Sequence, residues 1–119
     1  MAVSGDYAYV SQSLWDGFLL EYRHALQVID ISNPASPPAV THRLAVQGQI
    51  LNKFNMNLQG SILTAVSQVW RGTPTRRTYA SVETYDLTRA IPRLASLEFA
   101  SNESITASRF VGDLLYVVT

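Results

Sequence analysis

Few residues in this sequence have the chemistry of acid–base catalysis or metal binding. Asp30 and Asp86 end two similar apolar segments 56 residues apart, and His24 and His42 are the only histidines. Turn-forming residues follow each Asp, so we interpret both carboxylates as groups that close a turn after a strand. Neither His has the spacing of a metal ligand or a triad member, which favours a hydrogen-bonded or solvated role. We therefore expect no catalytic residue and no metal site.

The composition excludes several classes of function. The 119 residues contain no Cys, which rules out disulfides, thiolate metal sites and Cys nucleophiles. Nine basic and nine acidic residues cancel, so no net charge attracts nucleic acid or an anionic membrane. No window approaches the ~20 apolar residues of a membrane span, and the first residues lack the pattern of a signal peptide. Hydrolase, zinc-protease and phosphate-binding motifs are also missing, so we expect no cofactor and no membrane insertion.

One loop combines residue types that are enriched in protein interfaces. It begins at Trp70 and includes Arg71, Arg76 and Arg77. An aromatic anchor beside Arg side chains is typical of interface hot spots, so these four residues form our candidate interaction surface. Trp15 occupies the matching place earlier in the chain. That recurrence favours the alternative that the Trp side chains pack inside the fold.

The chain nearly repeats itself. Val10-Ser11-Gln12 is followed by Trp15-x-Gly17, and Val66-Ser67-Gln68 is followed by Trp70-x-Gly72, with one residue fewer in the second copy. A Gly precedes three apolar segments at positions 5, 60 and 112, which gives spacings of 55 and 52 residues. These spacings slightly exceed the about 40 to 50 residues of typical β-propeller blades and suit four strands with one long loop. The repeat predicts a β-propeller, and the matched Trp residues argue against the alternative of a β-sandwich.

The apolar segments are predicted to be strands of four-stranded antiparallel blades. β-branched and aromatic residues dominate them, Gly and Pro interrupt them, and no helical stripe extends beyond two turns. With strands named A to D from the propeller axis outward, their order is B, C, D, then A, B, C, D, then A, B. Residues 1–119 then form a single partial domain, with blade 1 (strands B to D) at about 4–46, blade 2 at about 50–100 and the start of blade 3 at about 104–119. We place the nine strands near residues 7–13, 26–31, 38–46, 51–57, 62–69, 79–87, 93–99, 105–110 and 114–119.

Two stretches resemble known propeller families. Ala8-Tyr9-Val10, followed by residues 26–34, is similar to the bacterial and archaeal repeat named for its Leu-Val-Ile-Val-Asp strand. Residues 103–119 contain Glu-x-Ile, Arg-Phe-x-Gly-Asp and Tyr-Val-Val-Thr in that order, and they resemble a family of secreted proteins with a C-terminal β-propeller. The resemblance implies a propeller fold and a parent protein that is secreted, periplasmic or at the cell surface. It implies no chemistry.

About two blades plus an extra strand cannot close a ring, because propellers contain about four to eight blades. Other blades must cover the apolar faces that an incomplete ring exposes. They come from the rest of a longer parent chain, from identical copies in a homo-oligomer, or from another chain. We expect a non-enzymatic scaffold or protein-interaction module. The alternative is part of a propeller hydrolase or lyase whose catalytic residues lie on blades absent from this chain.

Overall fold

The computed structural model of the chain describes residues 2–4, 7–17, 21–52, 55–71 and 77–119. Within these residues lie ten β-strands, rich in the β-branched and aromatic residues that suit a pleated, half-buried surface. None of the described segments is a helix of the length and apolarity that crossing a membrane requires. The strands are β1 (Ala2–Ser4), β2 (Tyr7–Asp16), β3 (Glu21–Asp30), β4 (Ala39–Val46), β5 (Met56–Gln59), β6 (Ile62–Arg71), β7 (Arg77–Asp86), β8 (Arg93–Phe99), β9 (Ala107–Val111) and β10 (Leu114–Val118).

The ten strands form three antiparallel sheets. β1 to β4 make the first sheet and β5 to β8 the second, each with its strands paired in chain order, while β9 and β10 make the third. A four-stranded antiparallel meander is the unit of a propeller blade, so the first two sheets have the strands A to D of a blade. The third has strands A and B, and the described strands close no ring. The predicted all-β class of partial propeller blades is therefore confirmed.

The strands differ from the prediction at the start of the first two sheets. Ala2–Ser4 pairs with residues 7–9, so the first sheet has its own strand A, and the prediction of nine strands beginning with strand B was wrong. Three residues are too few for an alternating pattern to show in the sequence. The strand predicted at 51–57 was placed too early, since β5 begins at Met56. Directly before β5, Asn55 N donates to Asn52 O (3.1 Å).

Strand register identifies the equivalent positions of the first two sheets. The residues that begin β2 and β6 lie opposite Asp30 and Asp86, which end β3 and β7. Relative to these two Asp residues, Trp15 and Trp70 occupy the same position. The Trp match in the sequence is therefore a true structural equivalence.

The Val-Ser-Gln match is out of register by one residue. Val10 lies opposite Gln27, three residues before Asp30, whereas Val66 lies opposite Val82, four residues before Asp86. Because successive side chains point to opposite faces of a strand, this offset places the two copies on opposite faces. The clearest sequence identity of the repeat is thus not a structural equivalence.

Two apolar clusters join the three sheets. The larger fills the space between the first and second sheets, and the smaller lies between the second sheet, the linker after it and the third sheet. Burial of aliphatic and aromatic side chains supplies most of the stabilisation of such stacked sheets. The larger cluster contains Tyr9, Leu26, Val28, Leu44, Val46, Ile50, Leu63, Ala65, Tyr85 and Leu87, and the smaller has Val66, Ala80 and Ile105 at its centre.

Glycine makes the turns between the first two strands of the second and third sheets. Gly60 and Gly112 have φ angles of 60° and 57°, in the left-handed region that residues with a Cβ rarely adopt. These two are among the three Gly residues that precede the repeated apolar segments of the sequence. The matching turn at Gly5 and Asp6 lies outside the described residues.

Gly48 allows the linker between the first two sheets to lie directly against β6. A Cβ at this position would clash with the Gln68 carbonyl oxygen and lie 2.8 Å from Val69 Cγ2. We predict that Gly48→Ala lowers the free energy of unfolding by about 1–3 kcal/mol, since a backbone neighbour cannot rotate away from an added methyl group. Urea unfolding curves measure the change. In the control Gly17→Ala, the nearest atom to the new Cβ is Trp15 Nε1 at 3.9 Å, so equal losses in the two variants would contradict the prediction.

Candidate functional site

Asp30 and Asp86 close turns, as the sequence predicts. Asp30 Oδ1 accepts hydrogen bonds from Ser32 N (2.8 Å) and Ser32 Oγ (2.6 Å). Asp86 Oδ1 accepts the same pair from Thr88 N (3.0 Å) and Thr88 Oγ1 (2.6 Å). The hydroxyl and amide donors stabilise the charged carboxylates and lower the pKa of each Asp below its ordinary value. The interpretation of these two carboxylates as turn-closing groups is confirmed.

The two histidines lie apart and each contacts a hydroxyl. His24 Nδ1 lies 2.9 Å from Ser13 Oγ, its cross-strand neighbour between β2 and β3. His42 Nδ1 lies 3.0 Å from Thr41 Oγ1 on the outer strand of the first sheet. Among the described residues, no group of three or more His, Asp or Glu side chains is placed to hold a metal ion.

The candidate interaction surface lies at the far end of the β6–β7 hairpin. Trp70 is 51% exposed, and Arg71 is paired with Arg77 at the last step of the ladder. Arg76 and the other residues of the loop lie outside the described residues, and of Arg77 only the backbone is described. Trp15, at the equivalent position, is 57% exposed. Both Trp side chains are thus about half-exposed within the described structure, and the interaction surface and the alternative of a packing role both stay predictions.

Polar side chains join the inner strands of the second and third sheets. Asn55 is 1% exposed, and its Nδ2 donates to Ser108 Oγ of β9 (2.8 Å) while its Oδ1 accepts from Asn52 N (3.1 Å). At the other end of β5, Gln59 Nε2 donates to Gly112 O (3.0 Å). These inner-strand residues hold the two sheets together.

A buried carboxylate links the second sheet to the first, and sequence reasoning missed it. Glu83 is fully buried, and its Oε1 accepts from Gln47 N (2.9 Å) in the linker that follows the first sheet. Its Oε2 accepts from Tyr85 Oη (3.0 Å) and lies 3.4 Å from Arg93 Nη2. Burial, and then the neighbouring Glu83 carboxylate, raises the pKa of Tyr85. The one signal in the sequence is a charged residue in the middle of a strand, between Val82 and Thr84 and two residues before Tyr85.

Gln68 is the second buried link, and it reaches both linkers. Its backbone exchanges two 2.9 Å hydrogen bonds with Gln49, in the linker before the second sheet. Its side-chain Oε1 accepts from Ile105 N (2.6 Å), in the linker after that sheet, and its Nε2 donates to Tyr79 O (2.9 Å). One fully buried residue therefore connects the second sheet to the linkers on its two sides.

The third sheet has one apolar face packed and one exposed. Phe110, Leu115 and Val117 pack against the smaller apolar cluster. The opposite side chains alternate with them and are about half-exposed. We call this surface the outer face of the third sheet, and it consists of Ala107, Arg109, Val111, Leu114, Tyr116 and Val118.

Blade-like meanders, inter-sheet polar links and a strand repeat together define a protein of the propeller class. The family model described as a beta propeller domain matches residues 21–119, and the model of the LVIVD repeat matches residues 1–19. The chain belongs to the β-propeller domain family. No curated protein and no solved structure gives a significant match to it.

The two buried Tyr side chains provide a matched test of the Glu83 link. Tyr85 Oη donates to Glu83, whereas Tyr9 Oη is buried with no partner among the described residues, and burial raises the pKa of Tyr9 to about 12. We predict that Tyr85→Phe lowers the free energy of unfolding by about 1.5–3 kcal/mol, because a buried carboxylate loses a donor. Tyr9→Phe is expected to change it by less than about 0.5 kcal/mol or to raise it, because it removes an unsatisfied group. Urea unfolding measures the stability of both variants. A larger loss of stability in Tyr9→Phe than in Tyr85→Phe would contradict the role of the Tyr85–Glu83 hydrogen bond.

The turn-closing carboxylates predict an acid dependence of stability. Because the pKa of each is lowered from 3.8 in the folded state, its contribution is present above pH 3.8 and is lost as the pH falls through the folded pKa. We predict that the double variant Asp30→Asn/Asp86→Asn loses less stability than the wild type between pH 5 and pH 2. Urea midpoints at these two pH values measure the difference. Equal losses in the two proteins would mean that these turns are not coupled to acid unfolding.

Proposed function

We propose that the chain is a non-enzymatic scaffold or protein-interaction module that binds further propeller blades. The observation that carries this proposal is the outer face of the third sheet, an apolar surface with no covering layer among the described residues. Propeller and LVIVD-type repeat domains are generally not catalytic, which supports a non-enzymatic role. We also propose that the parent protein is secreted, periplasmic or at the cell surface, as the resemblance to secreted propeller proteins implies.

The interface between the first and second sheets indicates what would cover the outer face of the third sheet. Tyr9 and Tyr116 hold equivalent positions, each the third residue of the second strand of its sheet. Tyr9 is 2% exposed because the second sheet packs on it, with Leu63 and Ala65 in the same cluster. Tyr116 is 55% exposed. A further blade that presents aliphatic residues as the second sheet does would bury Tyr116 in the same way.

The edge of the third sheet supports the same partner. In the first two sheets the second strand pairs on both sides, with strand A and with strand C. Within the described residues, β10 pairs only with β9, so its other edge is open. An open apolar edge readily accepts another strand. The partner therefore supplies strands C and D of this blade as well as the next blade, either from a longer chain or from identical copies.

The charge of the outer face argues for a protein partner. Its single charged residue is Arg109, which lies opposite Tyr116 in the ladder. A nucleic-acid surface needs several basic side chains along the phosphate backbone, and the chain as a whole has no net charge. An apolar centre with one Arg is typical of a protein interface.

Light scattering on a sizing column across a wide concentration range tests the proposal. We predict a discrete multiple of 13.2 kDa for the wild type if identical copies complete the blades. Tyr116→Asp is expected to shift the mass toward the monomer, because it places a charge in the centre of the apolar face. The matched control is Ile91→Asp, which changes a 79% exposed residue in the β7–β8 loop and should leave the mass unchanged.

If the wild type is a monomer, identical copies do not cover the outer face, and the proposed partner is then the further blades of a longer chain. A hydrophobic dye should then bind the wild type and the Ile91→Asp variant, and bind the Tyr116→Asp variant less. A monomer whose dye binding is the same in all three proteins would contradict an interaction role for the outer face.

A further inference from the structure

At one pair of equivalent positions the first sheet has a smaller side chain than the second. The difference leaves a space beside the first sheet. Ser13 lies opposite His24, and Gln68 lies opposite Ala80, each pair two steps along the ladder from the equivalent Trp residues. Ser13 therefore stands where the second sheet has Gln68. The two positions have the same place on the blade but side chains of different length.

In the second sheet, the Gln68 carboxamide fills the gap between the sheet and the linker that follows it. The amide nitrogen donates to Tyr79 O (2.9 Å) and Glu103 O (3.4 Å), and the amide oxygen accepts from Ile105 N (2.6 Å). The side chain is 1% exposed. A primary carboxamide suits this gap because it offers donors and an acceptor at one end of a short apolar stem.

In the first sheet the corresponding gap is an open cleft. Its volume is about 130 Å³, and it lies between Ser13 and His24 on one side and residues 48–50 of the linker on the other. The Ser13 hydroxyl reaches only to His24 Nδ1 (2.9 Å) and does not fill the space. Gly48 has no side chain, so its backbone lines the cleft. The remaining lining residues are Ser11, Gln12, Ala25 and Val46.

The lining of the cleft favours a small neutral ligand with donors and an acceptor. No Asp, Glu, Lys or Arg side chain is among the described residues that line the cleft, so a permanently charged ligand would have no counter-charge there. The Ser13 hydroxyl and the His24 imidazole, both among the lining residues, offer donors as well as acceptors. A cavity of about 150 Å³ holds a molecule the size of benzene, so about five or six non-hydrogen atoms fit here. We infer that the cleft binds a small primary carboxamide, the group that Gln68 supplies in the second sheet.

Propanamide tests this inference because it is the glutamine side chain as a free molecule. It is titrated into the ¹⁵N-labelled wild-type chain while amide resonances are recorded. We expect saturable shifts of Gly48, Gln49 and Ile50 with a dissociation constant in the millimolar range, as befits a ligand with few atoms. Propanoate, which has the same shape but a negative charge and no N–H donor, should bind at least about tenfold more weakly, because the cleft holds no counter-charge for its carboxylate.

A substitution that fills the cleft with a protein side chain provides a second test of the inference. Ser13→Gln should weaken propanamide binding at least about tenfold, because the new side chain occupies the space as Gln68 does, and should raise the urea midpoint. The control Ser96→Gln changes an exposed residue of β8 and should leave binding unchanged. Absence of saturable shifts at residues 48–50, equal binding of propanoate, or full binding to Ser13→Gln would each overturn the inference.

Discussion

The arrangement of the sheets depends on polar side chains that are buried between them. Apolar contact alone leaves stacked sheets free to shift, because the hydrophobic effect is not directional. Glu83 reaches the linker on one side of the second sheet, and Gln68 reaches the linker on the other. Each is fully buried and each has specific partners, so a shift of either neighbouring sheet would leave a buried polar group unpaired. These two residues fix the position of the second sheet between its neighbours.

The energetic balance at Glu83 explains why such a link is tolerated. A carboxylate removed from water loses several kcal/mol of solvation unless other groups replace the water. Here the Gln47 amide, the Tyr85 hydroxyl and the Arg93 guanidinium replace it. Arg93 is about half-exposed, so that ion pair is partly screened and the amide and hydroxyl bonds carry more of the compensation. The link therefore specifies geometry more than it adds stability.

The fold was largely predictable from the sequence, whereas the buried links were not. β-Branched and aromatic residues mark strands locally, which is why most strands were placed correctly. The Val-Ser-Gln match misled because residue identity does not reveal which face a side chain occupies. The linker partners of Glu83 and Gln68, Gln47 and Ile105, lie 36 and 37 residues away, so no local pattern connects them. The predicted interaction surface at Trp70 drew on residue type alone.

β2, β6 and β10 are the equivalent second strands of the three sheets, but their surroundings differ. This difference determines where a partner would add most stability. β2 and β6 each have a sheet packed on the face that points to the next blade, whereas β10 does not, among the described residues. The sequence of β10, Leu114-Leu115-Tyr116-Val117-Val118, is apolar at every position, as in strands that are covered on both faces. Leu114, Tyr116 and Val118 are 55–60% exposed, so covering them would contribute roughly half of the about 1.5–3 kcal/mol that full burial of an exposed apolar side chain provides. Their sum of about 2–5 kcal/mol is a substantial part of the about 5–15 kcal/mol of net stability of a typical folded domain, so a blade placed on this face would stabilise the third sheet appreciably.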